Sequence, residues 1–394
     1  MLREKAFATL RRYLIFLKTS QLLNGETVKI NAVTLDAVGG PVQVEEVDLE
    51  QPHEGEVLVK MGASGVCHSD QHSITGQHPA DLPCVVGHEG AGEVVAVGSG
   101  VSRVKVGDHV ALNWQPNCGN CFYCDRSEHA LCREVTKTVW SGYMADGTSR
   151  ISRDGKPLLH YSGVSTWADH MVVDQACCEV IPDEVPYEVA AIIGCAVATG
   201  VGAAIYRGQV SPDHRVVVVG AGGVGLSAIM GASMAGAKQI IAVDQSPEKE
   251  LIARELGATD FILSSDRDVE QVLEMTESRG ADVVIEAIGI PRLQQIWLDG
   301  VRPGGKLVLV GVPSVEDDST FGSANLIRMQ KTITGSYFST TDTGKAIRDL
   351  CEAYLKGLLP IDRLISRRVR INEIQDALNW MLTGKEGRIV VTFD

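Results

Sequence analysis

Residues 215–244 read RVVVVGAGGVGLSAIMGASMAGAKQIIAVD, and this stretch decides the fold class. The unbroken run Val216–Val219 has the composition of a strand buried on both faces of a parallel sheet. Gly220, Gly222 and Gly225 follow as G-x-G-x-x-G, and then comes a helical stretch of small residues. A second apolar run, Ile240–Val243, ends in Asp244, 19 residues beyond Gly225. Strand, tight turn, helix, strand and acid are the parts of a dinucleotide-binding unit. The first glycine makes the turn, the second lets backbone approach a pyrophosphate, and the third lets helix and sheet pack closely. The helix N-terminus offers N–H groups to phosphate. Asp244 is placed to accept hydrogen bonds from ribose hydroxyls, which favours NAD over its 2′-phosphorylated form. A bare glycine pattern also fits a structural turn; the flanking strands and the acid tip the reading to a cofactor.

Downstream, helical and strand patterns keep alternating: SPEKELIARELGA, FILS, ADVVIEAIG and KLVLVGV. That periodicity predicts a doubly wound parallel sheet. Upstream, from Val28, β-branched and alternating runs punctuated by Gly and Pro predict a small antiparallel barrel. Residues 133–163 read as a long loop of turns with a short hairpin.

The 394 residues provide two or three domains' worth of chain. A net charge of −14 argues against a nucleic-acid partner. No apolar run is expected to reach membrane-spanning length, and there are no repeats. Residues 1–27 are basic and too interrupted by Arg and Lys for a secretory core. An organelle presequence, an amphipathic surface segment and an upstream translation start all remain open; the segment is treated as a dispensable extension.

Ten cysteines in such a chain are too few and too clustered for a disulfide scaffold, so metal ligation in a reducing, cytoplasmic setting is expected. Cys118, Cys121, Cys124 and Cys132 can wrap one tetrahedral zinc with no open position. A redox Cys-x-x-Cys reading lacks the surrounding βα turn. Cys67 and His88 are suitable zinc ligands, each close to an acid able to support it. His88 alone reads more readily as a hydrogen-bonded structural histidine, a balance that Cys67 and a third thiol downstream reverse, and Cys195, among small apolar residues, reads equally as an inert buried thiol. Cys84, Cys177, Cys178 and Cys351 read as inert.

From Val28 to its end, the chain resembles the zinc-containing medium-chain alcohol dehydrogenases, in the long-loop branch that includes liver-type and glutathione-dependent formaldehyde dehydrogenases. The resemblance rests on G-H-E-x-x-G-x-V at Gly87–Val94, the four-cysteine lobe, G-C-x-x-x-T-G at Gly194–Gly200, and the glycine fingerprint. It implies a GroES-like β-barrel catalytic domain (28–196 and 338–394) plus a Rossmann domain binding NAD (197–337). It further implies two zinc ions per subunit and a homodimer paired through the cofactor domains; that there is no membrane partner is expected from the apolar run lengths alone. The strand KLVLVGV is expected at the sheet edge.

Carried over by position, Cys67, His88 and Cys195 are the catalytic zinc ligands, with Glu89 able to enter the coordination shell and Asp70 orienting the histidine. Ser69 and His72 match the proton relay. Thr199 and Val224 correspond to residues behind the nicotinamide, Gly220, Gly222, Gly223 and Gly225 to the pyrophosphate turn, and Asp244 and Lys249 to ribose contacts. Arg388 matches a pyrophosphate contact. His68 stands where liver enzymes often carry Arg, a change expected to speed NADH release. The implied activity is zinc-dependent hydride transfer between a small primary alcohol and NAD.

Trp114 and Tyr161 fall where the family lines its alcohol pocket; aromatic walls suit a flat or medium-length apolar alcohol, although either ring could be ordinary core. The positions holding the glutathione adduct in the formaldehyde enzymes correspond to His78, Ala80 and Thr136, none with the required charge. The rival readings are a dehydrogenase that never releases its nicotinamide, the formaldehyde–glutathione enzyme itself and, from another class, a catalytically idle binding protein of the same fold.

Overall fold

The computed structural model describes residues 27–78 and 80–393. The basic segment read above as an extension lies, apart from residue 27, outside the described residues.

Three sheets organise the chain. The first is a closed barrel of Val28–Leu35, Gln43–Leu49, Ile151–Arg153, Lys156–His160 and Cys84–Val85. Val28–Leu35 pairs antiparallel with Gln43–Leu49, from Val28 opposite Leu49 to Thr34 opposite Gln43. The hairpin Ile151–His160 supplies two of the barrel's strands. Residues 133–163 are thus less loop-like than expected, because they also hold a helix, Glu134–Trp140, that buries Thr136 and Val139.

The second sheet centres on Glu56–Val66, whose neighbours are Gly90–Val97, His170–Asp174 and Arg388–Thr392. Its interior is almost wholly apolar: Val57, Leu58, Val59, Met61 and Ala63 are fully buried.

The third sheet is six-stranded and parallel. Its order is Asp260–Leu263, Gln239–Asp244, Arg215–Val219, Ala281–Glu286, Val301–Leu309, Thr332–Gly335. This is the doubly wound arrangement, with the direction of winding reversing beside Arg215–Val219, where ligands of such sheets bind. One expectation is corrected. The strand carrying KLVLV has neighbours on both sides, and the edge belongs to Thr332–Gly335. The apolarity of Leu307 and Val308 reflects burial on both faces of an interior strand.

A helix from Tyr187 to Arg207 connects the halves. It is 21 residues long, and its most apolar 18-residue window has mean hydropathy 2.0, so an apolar run of membrane-spanning length does exist, against the sequence expectation. In the most apolar window 83% is buried inside the protein, which makes it a core helix. Two of its turns, Ile193–Val197 and Ala203–Arg207, are π-helical. Its glycines allow close approach. A Cβ on Gly200 would overlap the Val224 carbonyl, and one on Gly231 of the facing helix Gly223–Met234 would press against Val201.

Candidate functional site

Cys67 ends the central strand Glu56–Val66 and begins the helix His68–Thr75; His88 and Glu89 immediately precede the strand Gly90–Val97. Cys195 comes from the first π-turn of the long helix. A π-turn inserts an extra residue and re-aims the side chains around it, a common device at functional positions. The ligand atoms of Cys67, His88, Glu89 and Cys195 all lie within 4.8 Å of one another, and all four residues are buried.

One carboxylate positions two of these groups. Asp70, fully buried, accepts a hydrogen bond from the Cys67 backbone N–H at 3.0 Å through Oδ2 and meets His88 Nδ1 at 2.7 Å through Oδ1. That fixes the imidazole so that Nε2 faces the cluster, and Nε2 is buried with nothing but the Cys67 thiol to meet it among the described residues. An orphaned imidazole nitrogen among two thiols and a carboxylate fits a metal ion in chemistry and in spacing. The Cys67 thiol is held well below the usual thiol range, chiefly by its hydrogen bond with Cys195, and the same bond pushes Cys195 up. Asp70→Asn is expected to weaken zinc binding about 10- to 100-fold, because the amide cannot serve both the ring and the Cys67 N–H equally. Zinc retention during dialysis against a graded chelator measures it; wild-type retention would remove Asp70 from this role.

Glu89 makes a buried ion pair with Arg388. Burial pushes the Glu89 carboxyl up to about 7, with Arg388 opposing. Gly65 makes room for this acid: a Cβ there would occupy the position of Glu89 Oε2. Arg388 also lies across the N-terminus of the fingerprint helix, where a Cβ on Gly223 would strike its side chain. The cation therefore stands between the Cys67–His88–Cys195 cluster and the glycine turn.

That turn has three distinct glycines. Gly220 adopts φ 91°, Gly225 packs so tightly that a Cβ would overlap the Gly220 carbonyl, and Gly222 would meet nothing within 4 Å. Open space therefore lies over Gly222. Asp244 holds the turn in place, accepting from Ala221 N at 2.6 Å and from Ser246 N at 2.9 Å. Lys249 is buried and donates to the Glu386 carbonyl, stitching the cofactor sheet to the segment before Arg388. Thr199 and Val224 are half-buried on the two helices that face each other.

Ser69 and His68 are exposed at the start of their helix, and Ser69 Oγ lies 3.7 Å from Cys67 Sγ. His72 follows Ser69 by three residues, on the same helical face. Tyr161 sets its ring edgewise to His88, with centroids 6.0 Å apart. Its hydroxyl is engaged by Ser73 at 2.9 Å and by the Ser69 carbonyl at 3.3 Å. Tyr161 thus braces the helix His68–Thr75 as well as His88.

Trp114 is the hub of an aromatic cluster that the sequence did not reveal. Its ring meets His88 at 6.1 Å, Trp140 at 6.0 Å, Tyr337 at 5.7 Å and Phe338 at 4.8 Å, all edge to face. Tyr337 and Phe338 come from just after the edge strand Thr332–Gly335. Nothing in the local pattern ties them to a tryptophan more than two hundred positions earlier. Of the positions considered for a glutathione adduct, Thr136 is buried and donates to the Cys132 carbonyl at 2.5 Å, His78 lies beside His72, and Ala80 carries no polar group.

The second metal cluster is Cys118, Cys121, Cys124 and Cys132. The sulfur separations are 3.9 Å (Cys118–Cys124), 3.6 Å (Cys121–Cys124) and 3.9 Å (Cys121–Cys132). A tetrahedron with zinc–sulfur bonds of ~2.3 Å has edges of ~3.8 Å. The four remaining cysteines are buried and free, and burial pushes Cys84 and Cys351 up to about 12.

Two family models match the chain: the alcohol dehydrogenase GroES-like domain over residues 53–183 and the zinc-binding dehydrogenase over residues 223–353. The chain is 36% identical over 372 residues to an S-(hydroxymethyl)glutathione dehydrogenase of Escherichia coli strain SMS-3-5, spanning 93% of this chain and all of that protein. A protein of the same name from Synechocystis is 35% identical over 370 residues, with the same coverage of both chains. The solved benzyl alcohol dehydrogenase of Acinetobacter calcoaceticus matches with TM-score 0.87 and 30% identity, over 93% of this chain and all of that one.

Proposed function

The chain belongs to the zinc-containing medium-chain alcohol dehydrogenases, and from that premise we propose that it interconverts primary alcohols, aromatic or medium-chain, with their aldehydes, using NAD as hydride carrier. The observation that carries the reaction class is the buried Cys67–His88–Cys195 cluster beneath the open glycine turn. The aromatic cluster around Trp114 supports the substrate class, since a flat apolar alcohol gains edge-to-face contacts there. The same rings offer nothing to the carboxylates of a glutathione adduct. We assign 28–196 and 338–394 to the catalytic half and 197–337 to the cofactor half.

Cys67, His88 and Cys195 would hold one zinc ion, and the four-cysteine lobe another. When bound, the first ion lowers the pKa of an alcohol oxygen and the nicotinamide accepts hydride. The chain's own groups do the rest. Asp70 keeps His88 in the tautomer that presents Nε2 to the ion. Ser69 Oγ receives the alcohol's proton and His72 conveys it outward. Trp114 and Phe338 exclude water from the reacting carbon. Asp244 and Lys249 are placed for ribose, and Arg388 with the turn at Gly220–Gly225 for pyrophosphate. Gly222→Val tests the cradle. The side chain has space, so the melting temperature is expected to stay within about 2 °C. NADH binding, followed by fluorescence, is expected to weaken by about tenfold or more. Unchanged affinity would remove the cofactor from that turn.

The edge strand Thr332–Gly335, with the exposed Val312, Val315 and Ile327 nearby, supports pairing of two copies through the cofactor sheet. The free thiols of two metal clusters suit a reducing cytoplasm.

The test is NADH formation from added NAD with short aliphatic, long aliphatic and benzylic alcohols and the formaldehyde–glutathione adduct. Benzylic turnover that falls in Trp114→Ala supports the reading. Turnover confined to the glutathione adduct would replace it, and turnover seen only with an artificial acceptor would mean a permanently held nicotinamide.

A further inference from the structure

A second imidazole stands beside the proton-relay histidine. The helix His68–Thr75 stops at Gly76, whose φ of 82° turns the chain back on itself. The backbone N–H of His78 then donates to the carbonyl of His72 at 3.2 Å. The two rings lie with centroids 5.4 Å apart and planes inclined by 34°. One water can bridge nitrogens at that spacing. His78 Nε2 is itself buried and has no protein partner among the described residues. A buried ring nitrogen left unpaired is costly, so it calls for a water or a polar ligand group. His78 takes no part in the metal cluster or the glycine turn, and the sequence marked it only as a position without the acid of another substrate.

Taking the dehydrogenase reading as its premise, we propose that His78 is a second station of the proton exit, accepting through a bridging water the proton that His72 takes from the relay. The steps balance without electrons. The O–H bond of the alcohol breaks, Ser69 Oγ passes the proton to His72, and His72 passes it on to His78. His78, whose ring is half-buried, releases it to bulk water from Nδ1, the nitrogen on the side away from the buried Nε2, and both rings return to neutral. A positive charge on one imidazole disfavours a second proton on its neighbour, so the pair carries one proton at a time. The ionisable neighbours of His72 are His78 on the turn, and His68 and Cys67 on its own helix; His68 in turn faces Arg388 and Lys249. Burial holds His72 below the usual histidine range, and repulsion from His78 and His68 adds to this. A proton is therefore passed on rather than stored.

The experiment compares wild type, His72→Gln and His78→Gln in two measurements. The first is the pH profile of steady-state alcohol oxidation with NAD. His78→Gln is expected to lower kcat about three- to tenfold below about pH 7, with KM for the alcohol little changed and kcat restored by added imidazole. The second is the NMR titration of the His72 ring in protein without substrate, expected to move to higher pH when His78 is replaced. If wild type turns over normally and His78→Gln keeps the wild-type profile, or changes only KM, the proposal is overturned while the dehydrogenase reading stands. An unmoved His72 titration also overturns it. If wild type oxidises no alcohol with NAD, the dehydrogenase reading fails first and the relay with it, a result the NMR titration cannot mimic.

Discussion

Serine in place of Cys195 is expected to lower alcohol oxidation on the order of a thousandfold or more, while one zinc ion per chain remains. The substitution is small, so the long helix keeps its packing. What is lost is the thiolate, since a serine hydroxyl stays protonated and is a poor zinc ligand. The remaining Cys67 and His88 cannot hold the ion tightly, and the alcohol oxygen loses its Lewis acid. Metal analysis should fall from about two zinc ions per chain to about one, in parallel with kcat. Turnover at the wild-type rate in this variant would remove Cys195 from the site, and with it the functional reading.

Cys124→Ser is expected to act in the opposite way, on folding first. Around Cys118–Cys132 the chain forms only two 3₁₀ turns, Cys124–Arg126 and His129–Leu131. With Phe122 exposed and little apolar surface of its own, the lobe has few ways to hold its shape except the metal. Structural zinc sites of this type contribute about 10–16 kcal/mol of binding free energy in isolated peptides. Losing one thiolate forfeits a large part of that. The expected signs are loss of one zinc ion, rapid proteolytic cutting between residues 115 and 135, and a lowered melting temperature. The lobe also borders the reacting cleft: Gln115 donates to the Ala130 carbonyl at 2.8 Å and lies next to Trp114. Activity should therefore decline as the lobe opens, even though no cysteine of this set touches substrate. A variant that resists protease like wild type would show that the lobe stands without its metal.

The contrast between these two outcomes also marks what could be read from the residues. The four-cysteine set is local, with steps of three, three and eight, so its geometry is nearly dictated by its spacing. The glycine turn is equally local, and each of its glycines has the conformational reason assigned to it. Cys67, His88 and Cys195 are far apart in sequence, and bare residue chemistry left two of them open to bland readings. Resemblance supplied the grouping, and the fold brings their ligand atoms together. Three things were not legible. The edge of the cofactor sheet was misplaced because a buried interior strand and an apolar edge strand look alike in composition. The long helix passed unnoticed as a span of membrane length because its glycines and alanines disguise a continuous apolar run. The ring cluster on Trp114 arises from non-local packing, which no short-range pattern encodes.

The strand Arg388–Thr392 bears on how the protein is made. It lies between Glu56–Val66 and Ile365–Val369 in the interior of its sheet, and it delivers Arg388 to Glu89. The middle of that sheet is thus assembled from opposite ends of the described chain. While a ribosome is still adding the intervening residues, Val66 and its neighbours have one side without a partner. The cofactor half, built from successive βα units, can form early because its contacts are near in sequence. The other half must wait, with an apolar strand edge exposed to any passing chain. Production in a host should therefore fail by aggregation of the half-built second sheet rather than by loss of the parallel one. Slower synthesis at lower temperature, or helpers that cover strand edges, should raise the soluble yield more than added nucleotide does.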